Sequence, residues 1–191
     1  MTLDEIGIKH QTDKASQFSR TYAKPHDYLR QLWPFFEPWR NYVIKIVEVG
    51  VGGGESVQVW LEYFIGAKVY GVDVVSGTNC WNTPGESPNA RYTFVQGNQG
   101  NAEFWEKFIK DHGGNFHIII DDGSHVHSDV RATFDSLWSH LKSGGIYEIE
   151  DLNAIPETSE WLQGLSSRIL SGNSGIDSIT FSKELAILKK R

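Results

Sequence analysis

Residues 121–125 read DDGSH straight after the apolar run FHIII, and residues 145–151, GIYEIED, close a second apolar run on acids. Read as neighbouring strands, the two runs deliver Asp122, Glu150 and Asp151 to one edge of a sheet, beside His125. Clustered carboxylates repel one another unless a cation or protons intervene. An oxygen-rich donor set without cysteine suits a hard ion such as Mg²⁺. Ser124 is placed to cap the helix that follows. The neighbouring HVHSD (125–129) also fits the H-x-H-x-D pattern of zinc hydrolases. However, the apolar rhythm from Val126 onward is helical, and two histidines two residues apart on a helix diverge by about 200°.

A second group of residues surrounds VEVGVGGGES, with Glu48, Gly50, Gly52, Gly53 and Gly54 after a strand-like run. Glycines between a strand and a helix let the backbone approach a ligand, and the helix start offers free N–H groups. The G-x-x-x-x-G-K-[ST] phosphate loop is absent, and Glu55 stands where G-x-G-x-x-G needs its third glycine. A glutamate there would repel a pyrophosphate. Asp73, at the end of the next strand, can accept both hydroxyls of a ribose. Asn98 is placed to meet an adenine amino group. Together these point to an adenosine-bearing cofactor without nearby phosphates, and S-adenosylmethionine fits better than NAD.

The elements that must position these residues follow from periodicity. Strands are expected at 42–49, 67–74, 91–96, 116–121 and 146–151, nearly continuous in hydrophobicity, as in a sheet covered on both faces. Val57, Trp60, Leu61 and Phe64 mark one helix, residues 102–112 a second, and Val126 to Leu141 a third stopped by SGG at 143–145. A short helix is expected near 157–171, then a hairpin from IDSITFS and ELAILKK. The fold class is therefore α/β: a doubly wound, Rossmann-like sheet, mostly parallel, with a C-terminal antiparallel hairpin. Residues 1–40, broken by Pro25, Pro34 and Pro38, read as a helical segment covering the active site, and 41–191 as the core. Ligands of such sheets bind beyond the C-terminal strand ends, where all the candidate residues fall.

Composition narrows the classes. Net charge is -6 and Lys/Arg blocks are absent, so no nucleic-acid footprint is visible. The apolar runs are far short of the ~20 residues a membrane span needs. The polar start, MTLDEIGIKH, lacks signal-peptide features. Cys80 is the single cysteine, which excludes an intramolecular disulfide. These features favour a soluble cytoplasmic protein.

The segments EVGVGGGES, GVDV, IIIDDGSH and GGIYEIEDL resemble the metal-dependent macrocin/mycinamicin-type sugar O-methyltransferases, whose fold is that of class I methyltransferases. TDKASQFSRTYAKPHDYL resembles that family's T-D-K…H-x-Y segment. The resemblance implies that Asp122, Glu150 and Asp151 hold Mg²⁺ and that His125 is the general base. It implies that Glu48, Gly50 and Asp73 bind S-adenosylmethionine, and Gly52 and Asp121 are grouped with them. Asn98 and Gln99 fall where the family usually has Asp-Gln, which keeps an acceptor for adenine and loses a charge. The implied reaction moves a methyl group to a hydroxyl of a small-molecule acceptor. Two adjacent oxygens on one ion predict a vicinal diol, as in a sugar, or a catechol, and a histidine base favours the sugar. A catechol-like acceptor or non-methylating chemistry such as cyclisation is the alternative. His26, Tyr22, Tyr28 and Trp81 are candidates for the acceptor pocket. Larger family members carry an additional N-terminal domain that helps assemble the oligomer; its absence here leaves a homo-oligomer open.

Overall fold

Five apolar runs pair side by side because each can bury both faces. They are β1 (Lys45–Val49), β2 (Lys68–Asp73), β3 (Tyr92–Gln96), β4 (Phe116–Asp121) and β5 (Leu141–Ile149). The computed structural model describes residues 1–19, 24–172 and 174–191. β6 (Ile176–Ser182) and β7 (Leu185–Lys190) complete a seven-stranded sheet of order β3-β2-β1-β4-β5-β7-β6. The first five strands are parallel, and β7 runs antiparallel between β5 and β6. The chain winds outward from β1 to β3, then returns to lay β4 on the other side of β1. The topological switch point therefore lies beyond the C-terminal ends of β1 and β4.

Two apolar layers cover the sheet. On one face α1 (Leu3–His10), α2 (Tyr28–Phe36) and α3 (Glu55–Tyr63) pack Leu3, Ile6, Leu29, Phe36 and Trp60 against Ile46, Ile118 and Ile120. The opposite face carries α4 (Ala102–His112), α5 (His127–Leu137) and α6 (Pro156–Gly164), with a short α7 (Ser166–Leu170). The N-terminal segment thus shares the core of the sheet. Its first helix is closed by a reciprocal cap between Thr2 and Glu5. Among the described residues, no helix is long and apolar enough to cross a membrane.

Several boundaries differ from the periodicity. α5 starts at His127, with Val126 rather than Ser124 at the cap position. Leu141 continues the helical spacing but belongs to β5, opposite Phe116, so SGG lies inside a strand. A register shift between Phe116 and Ile118, together with Gly144 at φ +75°, absorbs those residues. Pro34 sits inside α2 instead of ending it. The stretch 157–171 holds two helices rather than one.

Candidate active site

The glycine loop is pinned by Asp73. Val51 and Gly52 donate their N–H groups to Asp73 Oδ2 at 2.9 and 3.1 Å, and Val75 N–H reaches Oδ1 at 2.9 Å. Gly50 has φ +88°, and a Cβ there would stand 1.9 Å from the Asp122 carbonyl oxygen. Glycine at this position lets the ends of β1 and β4 close on each other as well as admitting a ligand. At Gly52 a Cβ would meet nothing within 4 Å, so that face of the loop is open.

Strand alternation sorts the acids. Glu48, Ile120, Glu148 and Ile187 are successive partners across β1, β4, β5 and β7, and Ile120 and Ile187 face the α1–α3 layer. Glu48 and Glu148, fully buried, lie on that same face one step below Asp122 and Glu150. Into this nest of four acids comes Lys14, with only 4% of its side chain exposed. Its ammonium donates to Asp122 Oδ2 and, at 2.5 Å, to Glu150 Oε2. Burial by itself would pull the Lys14 pKa down, but the charges of Asp122, Glu150, Glu48 and Glu148 outweigh it and hold it up. Burial pushes the Glu48 carboxyl up to about 7 and the Glu148 carboxyl up to about 8, with Lys14 opposing both shifts. Glu150 is raised chiefly by burial and then by Asp122.

At the rim the outer oxygens converge. His125 Nε2 lies 3.7 Å from Asp122 Oδ1 and 3.6 Å from Asp151 Oδ2. One ligand atom from each of these three residues falls within 4.8 Å of the others. Two left-handed residues make this possible. His125 (φ +52°) and Asp151 (φ +54°) depart from the strand and helix paths and turn back to the same point. The donor set fits a hard divalent ion on three grounds. Its donors are mostly carboxylate oxygens. One ammonium already stands among carboxylates that outnumber it. Glu150 Oε1 is buried with no hydrogen-bond partner.

Two cavities meet at Gly50, Asp73 and Gly123. The larger, about 450 Å³, is lined by Lys14, the glycine loop, Asp122, His125 and Asp151. The smaller, about 270 Å³, is lined by Asn98, Gln99, Ser124 and Asp129. Asn98 Oδ1 accepts the Gly100 N–H at 2.8 Å, so its amide N–H₂ is the group best placed to serve a ligand. The Gln99 side chain works as a brace. It donates to Asp121 Oδ1 at 3.0 Å and Thr133 Oγ1 at 3.2 Å and accepts from Ser124 N–H at 2.6 Å.

Several expected site residues therefore sit behind the cavity walls. Asp121 faces the α4–α6 layer, 2% exposed, between Gln99 and the Tyr147 hydroxyl, and burial pushes its carboxyl up to about 7. Alternation along β4 turns it away from Asp122. Glu48 lies beneath Lys14 for the same reason. Ser124 donates to Asp129 Oδ2 instead of capping a helix. Tyr28 and His26 hold Asp151 and Glu184, and Trp81 packs on Tyr92, so none of the three lines the larger cavity. Tyr22 falls outside the described residues. His127 binds Thr158 Oγ1 at 2.9 Å, which parts it from His125 and rules against a zinc pair. Lys14 and Glu148 join the site without having been singled out. A glutamate in the middle of a buried strand is the signal that marked Glu148, whereas Lys14 had only its place in T-D-K.

The chain is 31% identical over 151 residues to mycinamicin VI 2''-O-methyltransferase of Micromonospora griseorubida, covering 73% of this chain and 36% of the relative. It is 31% identical over 157 residues to demethylmacrocin O-methyltransferase of Streptomyces fradiae, covering 78% and 36%. The chain thus spans about a third of the length of these curated relatives. MycE methyltransferase from the mycinamycin biosynthetic pathway, solved in complex with Mg and SAH, superposes with a TM-score of 0.82 at 26% identity. That match covers 100% of this chain and 55% of the solved one. Residues 47–152 match the model of a family described as Methyltransferase domain, a span of more than half the chain that runs from the glycine loop to Asp151; the chain belongs to that family.

Proposed function

We propose that the protein is a Mg²⁺-dependent O-methyltransferase that carries a methyl group from S-adenosylmethionine to one hydroxyl of a vicinal pair on a sugar. One observation carries this reading: Asp122, His125 and Asp151 converge on the wall of the cavity that the glycine loop also lines. The relatives named as O-methyltransferases of mycinamicin VI and demethylmacrocin, and MycE with Mg and SAH, support the same choice.

The donor's adenosine end belongs in the smaller cavity, against Asn98 and the Gln99-braced turn. The glycine loop and Asp73 would hold its middle, next to the cavity that Asp122, His125 and Asp151 line. Asp122 and Asp151 at the rim, with Glu150 buried beside Lys14 outside their converging group, are the residues to hold the ion, which would supply positive charge that lowers the pKa of an acceptor hydroxyl. His125 takes the hydroxyl proton on its imidazole, whose Nε2 stands 3.7 Å from Asp122 Oδ1 and 3.6 Å from Asp151 Oδ2 at the rim. The cavity walls fix donor and acceptor in line, and this orientation supplies a further share of the acceleration.

Methyl transfer from labelled S-adenosylmethionine to a panel of rhamnosides and other glycosides tests the proposal, with Mg²⁺ and with EDTA. Transfer in Mg²⁺ alone is expected, with His125→Gln lowering the rate by about 10²–10⁴-fold. Transfer that persists in EDTA would remove the metal from the mechanism. Failure of wild type to bind S-adenosylhomocysteine would sink the whole reading.

A further inference from the structure

His26 and Tyr28 come from the H-x-Y of the N-terminal segment, and the roles above leave both without work. Tyr28 is buried, and its hydroxyl lies 2.6 Å from Asp151 Oδ1, across 123 residues of chain. The next acceptor, Glu184 Oε2, is 3.0 Å away, and His26 Nδ1 is at 3.1 Å. A phenol has one proton. The shorter contact assigns it to Asp151, and the phenol oxygen is left to accept from the His26 ring.

Asp151 needs such a partner. Simple alternation along β5 would turn its side chain away from the face that carries Glu150. The left-handed step at φ +54°, ψ +40° brings it back to the rim. For a residue with a Cβ this conformation is strained, and it persists where the surroundings over-determine it. Leu152 N–H donates to the Glu184 carbonyl at 2.9 Å, and Asn153 Nδ2 to Glu184 Oε1 at 2.8 Å, which fixes the backbone that follows. The Tyr28 bond fixes the carboxylate itself. With Oδ1 anchored, Oδ2 is the oxygen presented to His125 and Asp122.

We infer that Tyr28 is a positioning residue of the metal site, its hydroxyl clamping Asp151 Oδ1 so that Oδ2 faces the ion. This rests on the metal-dependent reading above and deepens it. The cluster of His26, Asp151 and Glu184 also meets the spacing of a cation site. The Tyr28 hydroxyl is within hydrogen-bond distance of all three, so the cluster is a hydrogen-bonded node rather than a second ion site. Partners that orient a metal-ligating carboxylate typically govern affinity by about 10–100-fold.

The test is calorimetric titration of Mg²⁺ into protein saturated with S-adenosylhomocysteine, for wild type, Tyr28→Phe and Glu184→Gln. Tyr28→Phe removes one oxygen and keeps the buried ring. It should weaken Mg²⁺ by about 10–100-fold, with the affinity for S-adenosylhomocysteine and the melting temperature nearly unchanged. Glu184→Gln should leave Mg²⁺ affinity close to wild type. Equal Mg²⁺ affinity in Tyr28→Phe and wild type would overturn the inference. So would an equally large loss in Glu184→Gln, which would assign the effect to the β6–β7 hairpin. Joint loss of cofactor and metal binding in Tyr28→Phe would mark a general structural role and overturn it as well. Absence of Mg²⁺ binding in wild type would instead sink the metal reading itself, and that is seen without any variant.

Discussion

The two ends of the cleft are built on opposite plans. At the acid end each rim carboxylate is held from behind and exposes its other oxygen: Lys14 holds Asp122 and Tyr28 holds Asp151. At the neutral end the polar atoms are largely tied into the turn itself. The Gln99 amide binds Asp121, Thr133 and Ser124, and Asn98 Oδ1 binds Gly100. The first plan suits the proposed ion and reacting oxygen. The second shapes a wall for a flat, weakly polar group and relies on fit. Carboxylates cluster where chemistry is proposed, whereas at the other end Asp129 and Asp73 are tied into turns by Ser124 Oγ–H and by the Val51 and Gly52 N–H groups.

The largest expected effect breaks the acid end. Lys14→Met leaves Asp122, Glu150, Glu48 and Glu148 with no counter-charge, and breaking a buried ion pair typically costs about 3–5 kcal/mol. At roughly 2–4 °C per kcal/mol for a chain of this size, melting should fall by on the order of 10 °C. Added Mg²⁺ should recover part of that loss. A variant that melts with wild type would show that the inner acids are neutral without Lys14, and the contrast between the two ends would collapse.

A second prediction separates the cleft acids from a titration elsewhere. His117 sits at the far end of β4, where Lys45 N–H donates to its Nδ1 at 3.0 Å, and burial with Lys142 and Lys45 pulls its pKa from 6.5 to about 4. The unfolded chain binds the proton first, so this contribution is complete above pH 6.5 and is lost as pH falls toward about 4. His117→Asn keeps an acceptor for Lys45 and should flatten the melting curve across that window. Whatever slope remains belongs to other groups, the cleft acids among them. An unchanged slope would mean that His117 does not titrate there.

The smallest effect sharpens the neutral end. Asn98→Asp keeps the acceptor that Gly100 N–H uses and replaces the amide N–H₂ beside it with a charged acceptor for an adenine amino group, a gain of about 1 kcal/mol, or about fivefold in S-adenosylhomocysteine affinity. Mg²⁺ affinity should not move. A parallel gain in metal binding would mean that the two ends share one electrostatic environment.

Much of this was legible in the sequence because it depends on short-range pattern. The strands near 67–74, 91–96 and 116–121, the helix 102–112 and the C-terminal hairpin follow period and turn chemistry, and the strand-end rule located Asp122 and Asp151. The rest depends on tertiary geometry. Nothing local announces that Lys14 will be buried against Asp122 and Glu150, each more than a hundred residues away. Period two cannot foresee the left-handed turns at His125 and Asp151, which reverse the faces that alternation assigns. Asp121 was misplaced for the converse reason: it follows alternation faithfully and so points away from its neighbour. Leu141 fitted a helical spacing by coincidence, and its pairing with Phe116 decided its place in β5.

The chain separations of these contacts carry a kinetic consequence. Asp73 reaches the glycine loop across 21 and 22 residues, whereas Lys14 reaches Asp122 and Glu150 across 108 and 136, and Tyr28 reaches Asp151 across 123. Closing long loops comes late in assembly, because their entropy is lost before the contact forms. During refolding, the loop proposed to hold the donor should therefore mature before the acid rim does. In a stopped-flow experiment, the capacity to bind S-adenosylhomocysteine should return ahead of the capacity to bind Mg²⁺. Simultaneous recovery would mean that the N-terminal segment docks in the same step as the central strands.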